Sequence, residues 1–507
     1  MKLFYFKIKT FIKIFTVFLL IPNNDFKTIK FQIRTFKFLE NYNINDILDE
    51  EKYFFYDLIL NNIYTSISLG TPPQKIIGFY SGKENEFDII KEKCYLNYSK
   101  YDRIKSKTFN NLTSFNIIHK NFKNGCFAKE NFQFELYEEY NKNIIFNQLK
   151  FFLPDDSKLN LNKKESNNTC AIIGLRLNNK DLFTESPKNF VYYLMEYFAE
   201  KNNKLINNSL EINNYYWTIK YNDKNENLGY FSIGDPPHLS EPEKYKEKKF
   251  FEFNIEFKYS SLYWEIQFNE IYLNKTDINN NNDYNLIYLN KYFGGHNCVF
   301  YPEINLIFGT IEYFNVLKNE FFNKFFSKGI CYIKKFHLNN NNSTIIEGFG
   351  GDYNFIICNK YKIKEYGINQ FYLEFPSLNF YFKLMNYTFT FNSTELFLEN
   401  KDAIYFLICN KKNSVDQWVF GKIFMKKYQI VFNSEMKTMA FYINNNIIYN
   451  EIKSYYNKKN IIIIILINLI ILIILCIIIN KYRKRISINK EIFVKELEMI
   501  NKNAKLI

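Results

Sequence analysis

The sequence predicts a mostly β protein with short helices and a C-terminal transmembrane helix, and three observations carry that prediction. Residues 61–90 alternate apolar and polar positions around a Gly/Pro corner. Of the 507 residues, 47% are hydrophobic and 20% aromatic, which is enough apolar side chain for two sizeable cores. Residues 461–479 form an almost unbroken Ile/Leu run.

In the first stretch, Ile63, Thr65, Ile67 and Leu69 alternate with Tyr64, Ser66, Ser68 and Gly70. This is the period-2 pattern of a strand with one buried face. Thr71-Pro72-Pro73 then removes two backbone donors and sets two φ angles, so the strand ends in a corner. A second strand over residues 75–79 carries the chain into Tyr80-Ser81-Gly82.

These residues resemble the opening of the pepsin-like aspartic proteases, in particular plasmepsin-like, membrane-anchored members with a degenerate active site. The family pattern is an alternating strand, Gly-Thr-Pro-Pro-Gln, another strand, then Asp-Thr-Gly-Ser-Ser-Asn and an aromatic. Gly70-Thr71-Pro72-Pro73-Gln74 matches in full, and Gly82, Asn85 and Phe87 match the last part. Tyr80 stands at the position of the catalytic aspartate. The connecting strand is one residue shorter than usual, which makes Ser81 the other candidate for that position. Neither is a carboxylate.

The resemblance continues to about residue 432. Ala171-Ile172-Ile173-Gly174-Leu175 is similar to the hydrophobic-hydrophobic-Gly element that packs across the first catalytic loop. Gly229-Tyr230-Phe231-Ser232-Ile233-Gly234 resembles a strand near the end of the first lobe, and Tyr263-Trp264-Glu265-Ile266 the strand opening the second. Between the second lobe's first strands, residues 279–285 form an Asn-rich insertion that reads as a surface loop. Trp418-Val419-Phe420-Gly421-Lys422-Ile423-Phe424, with Tyr428 and Phe432, is similar to the closing segment, although Lys422 departs from the usual aspartate.

In the second lobe the catalytic motif is replaced by Cys298-Val299-Phe300-Tyr301-Pro302-Glu303-Ile304-Asn305-Leu306, with Tyr301 at the aspartate position. No Asp-Thr-Gly or Asp-Ser-Gly occurs anywhere in the chain. The flap is altered as well: Phe115-Asn116-Ile117-Ile118-His119-Lys120 puts His119 at the place of the family's tyrosine, and only Gly125 remains of the tip.

What the resemblance implies is a bilobed pepsin-like fold, with an N-terminal β lobe over 59–238 and a C-terminal β lobe over 239–447 facing each other across a cleft. Each lobe is expected to bring one loop to the centre, Tyr80-Ser81-Gly82 and Tyr301-Pro302-Glu303. The bracing elements are then Ile172-Ile173-Gly174 and Val419-Phe420-Gly421, which gives Gly82, Gly174 and Gly421 a loop-bracing role.

Aspartic proteolysis needs two carboxylates that share one proton, one to take a proton from water and one to donate to the scissile carbonyl. A phenol, with an ordinary pKa of about 10, is protonated where such a pair works and cannot be the base. No catalytic residue is therefore expected. Tyr80 and Tyr301 are read as filling the vacated site and packing together, with ligand contact through their hydroxyls as the other reading. Glu84, Glu86, Asp88 and Glu303 are the nearby carboxylates, read as solvated or hydrogen-bonded loop residues.

The termini set the expected topology. Residues 1–21 carry Lys2, Lys7 and Lys9 before an apolar run over 15–21 that is too short to span a bilayer. They read as a secretory signal or, with no small-residue cleavage site after them, a signal anchor. Residues 22–58 form a prosegment-like stretch without a clear period, and residues 448–460 a stalk. At about 1.5 Å per residue the run 461–479 covers roughly 28 Å, close to the hydrocarbon thickness. Lys481, Arg483, Lys484 and Arg485 on its C-terminal side outnumber Lys458 and Lys459 on the other, which predicts a cytosolic tail over 480–507. In that tail Phe493, Leu497 and Ile500 share one helical face. The expected arrangement is single-pass type I, with the ectodomain in the secretory-pathway lumen or outside the cell.

In that context the eight cysteines are disulfide candidates, apart from Cys476 inside the span. The resemblance implies a Cys358–Cys409 pair; proximity suggests Cys94–Cys126 and Cys298–Cys331, leaving Cys170. There is no CxxC or clustered Cys/His spacing, and His119, His238, His296 and His337 are scattered, so neither metal nor cofactor is expected. The net charge of +14 does not by itself indicate a nucleic-acid partner, because Lys and Asn are spread throughout the chain. Asn97, Asn111, Asn386 and Asn392 each begin an N-x-Ser/Thr sequence, a pattern that an Asn-rich chain also yields by chance.

Three functions fit these residues: an inactive aspartic-protease-like membrane protein (a pseudoprotease) that binds a polypeptide through its cleft or surface, an active aspartic-type endopeptidase with an unrecognised dyad, or a structural secretory-pathway glycoprotein.

Overall fold

A computed structural model describes residues 28–37, 47–84, 87–90, 101–112, 117–118, 124–137, 144–154, 170–177, 188–202, 212, 214–225, 227–255, 263–276, 284–288, 296–338, 349–411 and 417–444. The described residues up to Ile443 belong to one compact unit, and strands dominate it. The predicted signal (1–21), stalk (448–460), span (461–479) and tail (480–507) lie outside the described residues. Among the described residues, no helix is long and apolar enough to cross a membrane.

The chain opens with β1 (Thr28–Phe36), α1 (Ile47–Ile59), β2 (Asn62–Leu69), β3 (Gln74–Ser81) and β4 (Phe87–Ile90). β2 and β3 form an antiparallel pair from Tyr64↔Phe79 to Leu69↔Gln74. The corner between them needs Gly70, which has φ +78° and whose added Cβ would stand 2.6 Å from Ser106 Oγ. β1 lies inside the sheet, paired on one side with Leu228–Gly234 and on the other with β2. The stretch read as prosegment-like thus supplies an interior strand and a packed helix. In α1, Phe55 stacks on Phe336 with ring centroids 4.8 Å apart and lies 5.0 Å from Phe355.

Two local arrangements repeat. The strand Cys170–Gly174 lies between β3 and β4, parallel to the first and antiparallel to the second. The strand Trp418–Phe420 lies between His296–Phe300 and Ile307–Phe308 in the same way. All five residues of Cys170–Gly174 are buried, as its unbroken apolar run requires of a strand covered on both faces.

The cysteine pairing differs from expectation. Cys331 is bonded to Cys358, while Cys298 and Cys409 are buried free thiols and Cys126 is a buried thiol. This corrects the expected Cys358–Cys409 pair and also Cys94–Cys126 and Cys298–Cys331. Strand register is the reason. Cys331 and Cys358 are direct partners across the antiparallel strands Cys331–Leu338 and Gly351–Asn359. Asn410 stands opposite Asn354, so Cys409 falls level with Phe355, about 10 Å along the strand from Cys358. That separation exceeds the roughly 7 Å a disulfide can bridge. Cys170 is also disulfide-bonded, to a partner outside the described residues. A non-reducing peptide map should give the Cys331–Cys358 link and show Cys409 alkylated only after denaturation. Recovery of a Cys358–Cys409 peptide would refute this register.

Candidate functional site

Side chains alternate along β3, so Phe79 and Ser81 face one side and Tyr80 the other. Phe79 joins a core containing Ile304, Leu306 and Phe308 from the second loop region. Tyr80 turns away from that core. It is 1% exposed, and its ring lies 5.0 Å from Phe231 in the central sheet. Burial drives its phenol far above the ordinary pKa, opposed weakly by the Thr65 hydroxyl, which lies outside ordinary hydrogen-bond geometry.

Tyr301 has different neighbours. Its ring meets Tyr263 at 5.9 Å and Phe349 at 5.5 Å. Burial raises its pKa too, with Tyr263 and Glu303 adding to the shift and Arg176 opposing it. The Arg176 guanidinium lies 4.0 Å from the Tyr263 ring centre, and Lys83 Nζ 5.8 Å from that of Phe349. No ring contact joins Tyr80 and Tyr301 among the described residues, so the expected packing of the two against each other is not seen.

The two loops are joined by Glu303. Its carboxylate accepts from Ser81 Oγ at 3.1 Å, from the Gly82 N–H at 2.9 Å and from the Lys83 N–H at 3.1 Å. Ser81 Oγ in turn accepts from the N–H groups of Lys83 and Glu84. Gly82 is required by proximity, since a Cβ there would stand 2.7 Å from Pro302 Cδ and 3.3 Å from Glu303 Oε2. Glu303 is only 2% exposed. Burial raises its pKa, and the donors from Gly82, Ser81 and Lys83 limit the rise.

Each loop is held from beside. Ser81 pairs with Gly174, the Leu175 N–H donates to Ser81 O at 2.7 Å, and the Arg176 N–H to Glu84 O at 3.0 Å. In the second loop the Tyr301 N–H donates to Phe420 O at 3.0 Å, and the Gly421 N–H to Leu306 O at 3.1 Å. A Cβ on Gly421 would come within 2.2 Å of Ile304 O, a contact no side chain tolerates.

A third set of contacts closes the junction from behind. Asn61 Nδ2 donates to Pro302 O at 2.8 Å and to the Tyr221 hydroxyl at 2.7 Å, while its N–H donates to Glu303 O. Asn305 Nδ2 donates to Asp57 O and Leu60 O, which ties the second loop to the end of α1. Sequence reasoning missed both asparagines. In a chain this rich in Asn, composition gives no signal for a buried one. It also read Glu303 as one loop carboxylate among four. Its place between Phe300 and the apolar pair Ile304 and Leu306 was the available hint of burial.

The other candidates lie elsewhere. Glu84 enters the junction through its backbone, Asp88 is buried in β4, and Glu86 and His119 fall outside the described residues. Among the described residues, no group of three or more His, Cys, Asp or Glu could hold a metal ion. A cavity of about 720 Å³ opens beside Tyr263, with Phe253, Ile255, Glu265, Gln267 and Asn297 in its wall.

Chemically, the junction is a buried carboxylate saturated by donors. Among the described residues, all its hydrogen-bond partners are N–H or O–H groups and none is a second carboxyl. No family model and no curated protein matches the chain.

Proposed function

We propose that this chain is a catalytically silent, aspartic-protease-like membrane protein of type I that binds a polypeptide through its former cleft or the surface beside it. The observation that carries this reading is the Glu303 contact with Ser81, Gly82 and Lys83. The acceptor at the meeting point of the two loops is committed to backbone and hydroxyl donors; among the described residues no partner carboxyl shares a proton with it, and it is buried from solvent. Losing a member of such a catalytic unit costs about four or more orders of magnitude. Here both aspartate positions hold tyrosine.

The bilobed architecture belongs to the same reading. It is supported by the repeated strand arrangement around the two loops and by the glycines that brace them. Polypeptide binding is supported by the cavity next to Tyr263, whose size falls in the range of ligand pockets and whose wall mixes aromatic rings with carboxamides.

The full-length protein in detergent should hydrolyse no peptide between pH of about 3 and 7, the range in which a shared-proton carboxylate pair works. Tyr80→Asp combined with Tyr301→Asp should restore little, because position 80 faces Phe231 in the core and not the second loop. Turnover by the unmodified protein that a transition-state mimic blocks would overturn the proposal. A photocrosslinker at Tyr263 that captures no peptide from a mixed-sequence library would remove its binding half.

A further inference from the structure

The cavity beside Tyr263 has a polar floor, formed by the sheet face that also carries Tyr301. Exposure alternates along the strand Glu265–Phe268, with Glu265 and Gln267 half-buried and Ile266 and Phe268 buried. Glu265 stands opposite Val299, and Gln267 opposite Asn297, on the antiparallel strand His296–Phe300. On the other side of that strand Cys298 pairs with Trp418, which sets Gln417 level with Asn297. With a side-chain period of two, Tyr263, Glu265, Tyr301, Asn297 and Gln417 share one face, and the 5.9 Å contact between the Tyr263 and Tyr301 rings marks its near end.

The fold does not use the polar groups of this floor. Glu265, Asn297 and Gln417 are half-buried, and among the described residues their side chains enter no hydrogen bond or ion pair. Lys383 also lines the cavity, but it is exposed and is not paired with Glu265. Against the floor stands an apolar wall of Phe253 and Phe382, their rings 5.0 Å apart, and Ile255, all three buried. Polar groups sheltered in a protein are as a rule hydrogen-bonded, so a carboxylate and two carboxamides left unengaged on one cavity face call for a partner from outside.

We propose that this cavity selects a basic residue of the bound polypeptide, Lys or Arg, with its charged head on Glu265 and its aliphatic stem along Phe253, Ile255 and Phe382. The inference rests on the reading that the cavity takes a polypeptide, and it adds which kind. Lys and Arg are the side chains that join a cationic end to a long apolar stem, and the cavity offers one carboxylate beside an apolar wall. A carboxamide carries both a donor and an acceptor, as a peptide group does, so Asn297 and Gln417 suit the backbone next to that residue. The net charge of +14 repels basic ligands at a distance, so a preference for them has to arise locally, at Glu265.

The test uses full-length protein in detergent and fluorescein-labelled peptides of randomised sequence, made as pools that differ only in one fixed central residue: Lys, Arg, Met or Glu. Fluorescence anisotropy should show the Lys and Arg pools half-saturating at concentrations about ten-fold below the Met pool, as a charge-assisted hydrogen bond would give. Glu265→Gln should remove that advantage, and Glu265→Lys should make the Glu pool the tightest. Equal binding of the Lys and Met pools to the unmodified protein would overturn the proposal, and this comparison needs no variant to fold. A preference for basic pools that survives both substitutions at Glu265 would overturn it too. Binding without charge preference removes this inference alone, whereas no binding of any pool removes the polypeptide reading of the cavity and this inference with it.

Discussion

A variant lacking residues 28–37 should fail to fold, because the stretch that resembles a removable prosegment contributes an interior strand. β1 pairs with Leu228–Gly234 from Thr28↔Gly234 to Arg34↔Leu228 and with β2 from Arg34↔Tyr64 to Phe36↔Asn62. Its removal would leave two open strand edges. Ile29, Phe31, Ile33 and Phe36 are all buried, and Phe31 lies within 5.0 Å of Phe134 and 6.0 Å of Phe231. At about 1.5–3 kcal/mol for each buried side chain, these four contribute roughly 6–12 kcal/mol. A typical domain is stable by about 5–15 kcal/mol in total, so the loss is comparable with the whole margin. The deletion should accumulate as insoluble protein. By contrast, cutting a protease site introduced between residues 37 and 47 should leave the N-terminal fragment bound through native gel filtration. A soluble deletion variant with an unchanged unfolding midpoint would show that β1 is dispensable.

β1 shows why part of the fold was not legible. Ile29, Phe31 and Ile33 do alternate, but the intervening Lys30 and Gln32 make the stretch read as surface, and both are in fact buried. Lys30 is accommodated by Glu241, distant in sequence, and by the Tyr230 ring. No local pattern announces such partners. β2 was legible because its polar alternates lie on a more exposed face, and β3 because a Gly/Pro corner separates an apolar run from β2. The loops were legible as positions in a motif, whereas the direction of each side chain was not used. Alternation along β3 already puts Ser81, not Tyr80, on the side of Phe79, and that is the side on which Glu303 stands. Disulfide choice failed for a related reason: register decides which cysteines are level, and sequence separation does not.

Glu303→Ala should destabilise the protein by roughly 2–4 kcal/mol, because it leaves the donors of Ser81, Gly82 and Lys83 facing a cavity without an acceptor, and an unsatisfied buried group costs about 1–3 kcal/mol. Glu303→Gln should cost less, since its carbonyl keeps one acceptor, although its amide then opposes another donor. The pH dependence distinguishes the two states of the carboxyl. Burial raises the pKa of Glu303 in the fold, so the folded protein holds this proton more tightly than the unfolded chain. The stabilisation from that proton is fully present below the ordinary carboxyl pKa and is lost as the pH rises through the raised folded value. Tyr221 and Tyr301, the titratable neighbours, stay neutral across this window because burial raises both. Urea midpoints of the unmodified protein should therefore fall from acid towards neutral pH more steeply than those of Glu303→Gln. Parallel curves for the two proteins would mean that Glu303 is not held in a desolvated site. If Glu303 were a catalytic acid, the pattern would be reversed: the Gln variant would lose turnover at little cost in stability. A clamp and a catalyst therefore predict opposite outcomes from the same substitution, and the saturated hydrogen bonding of Glu303 favours the clamp.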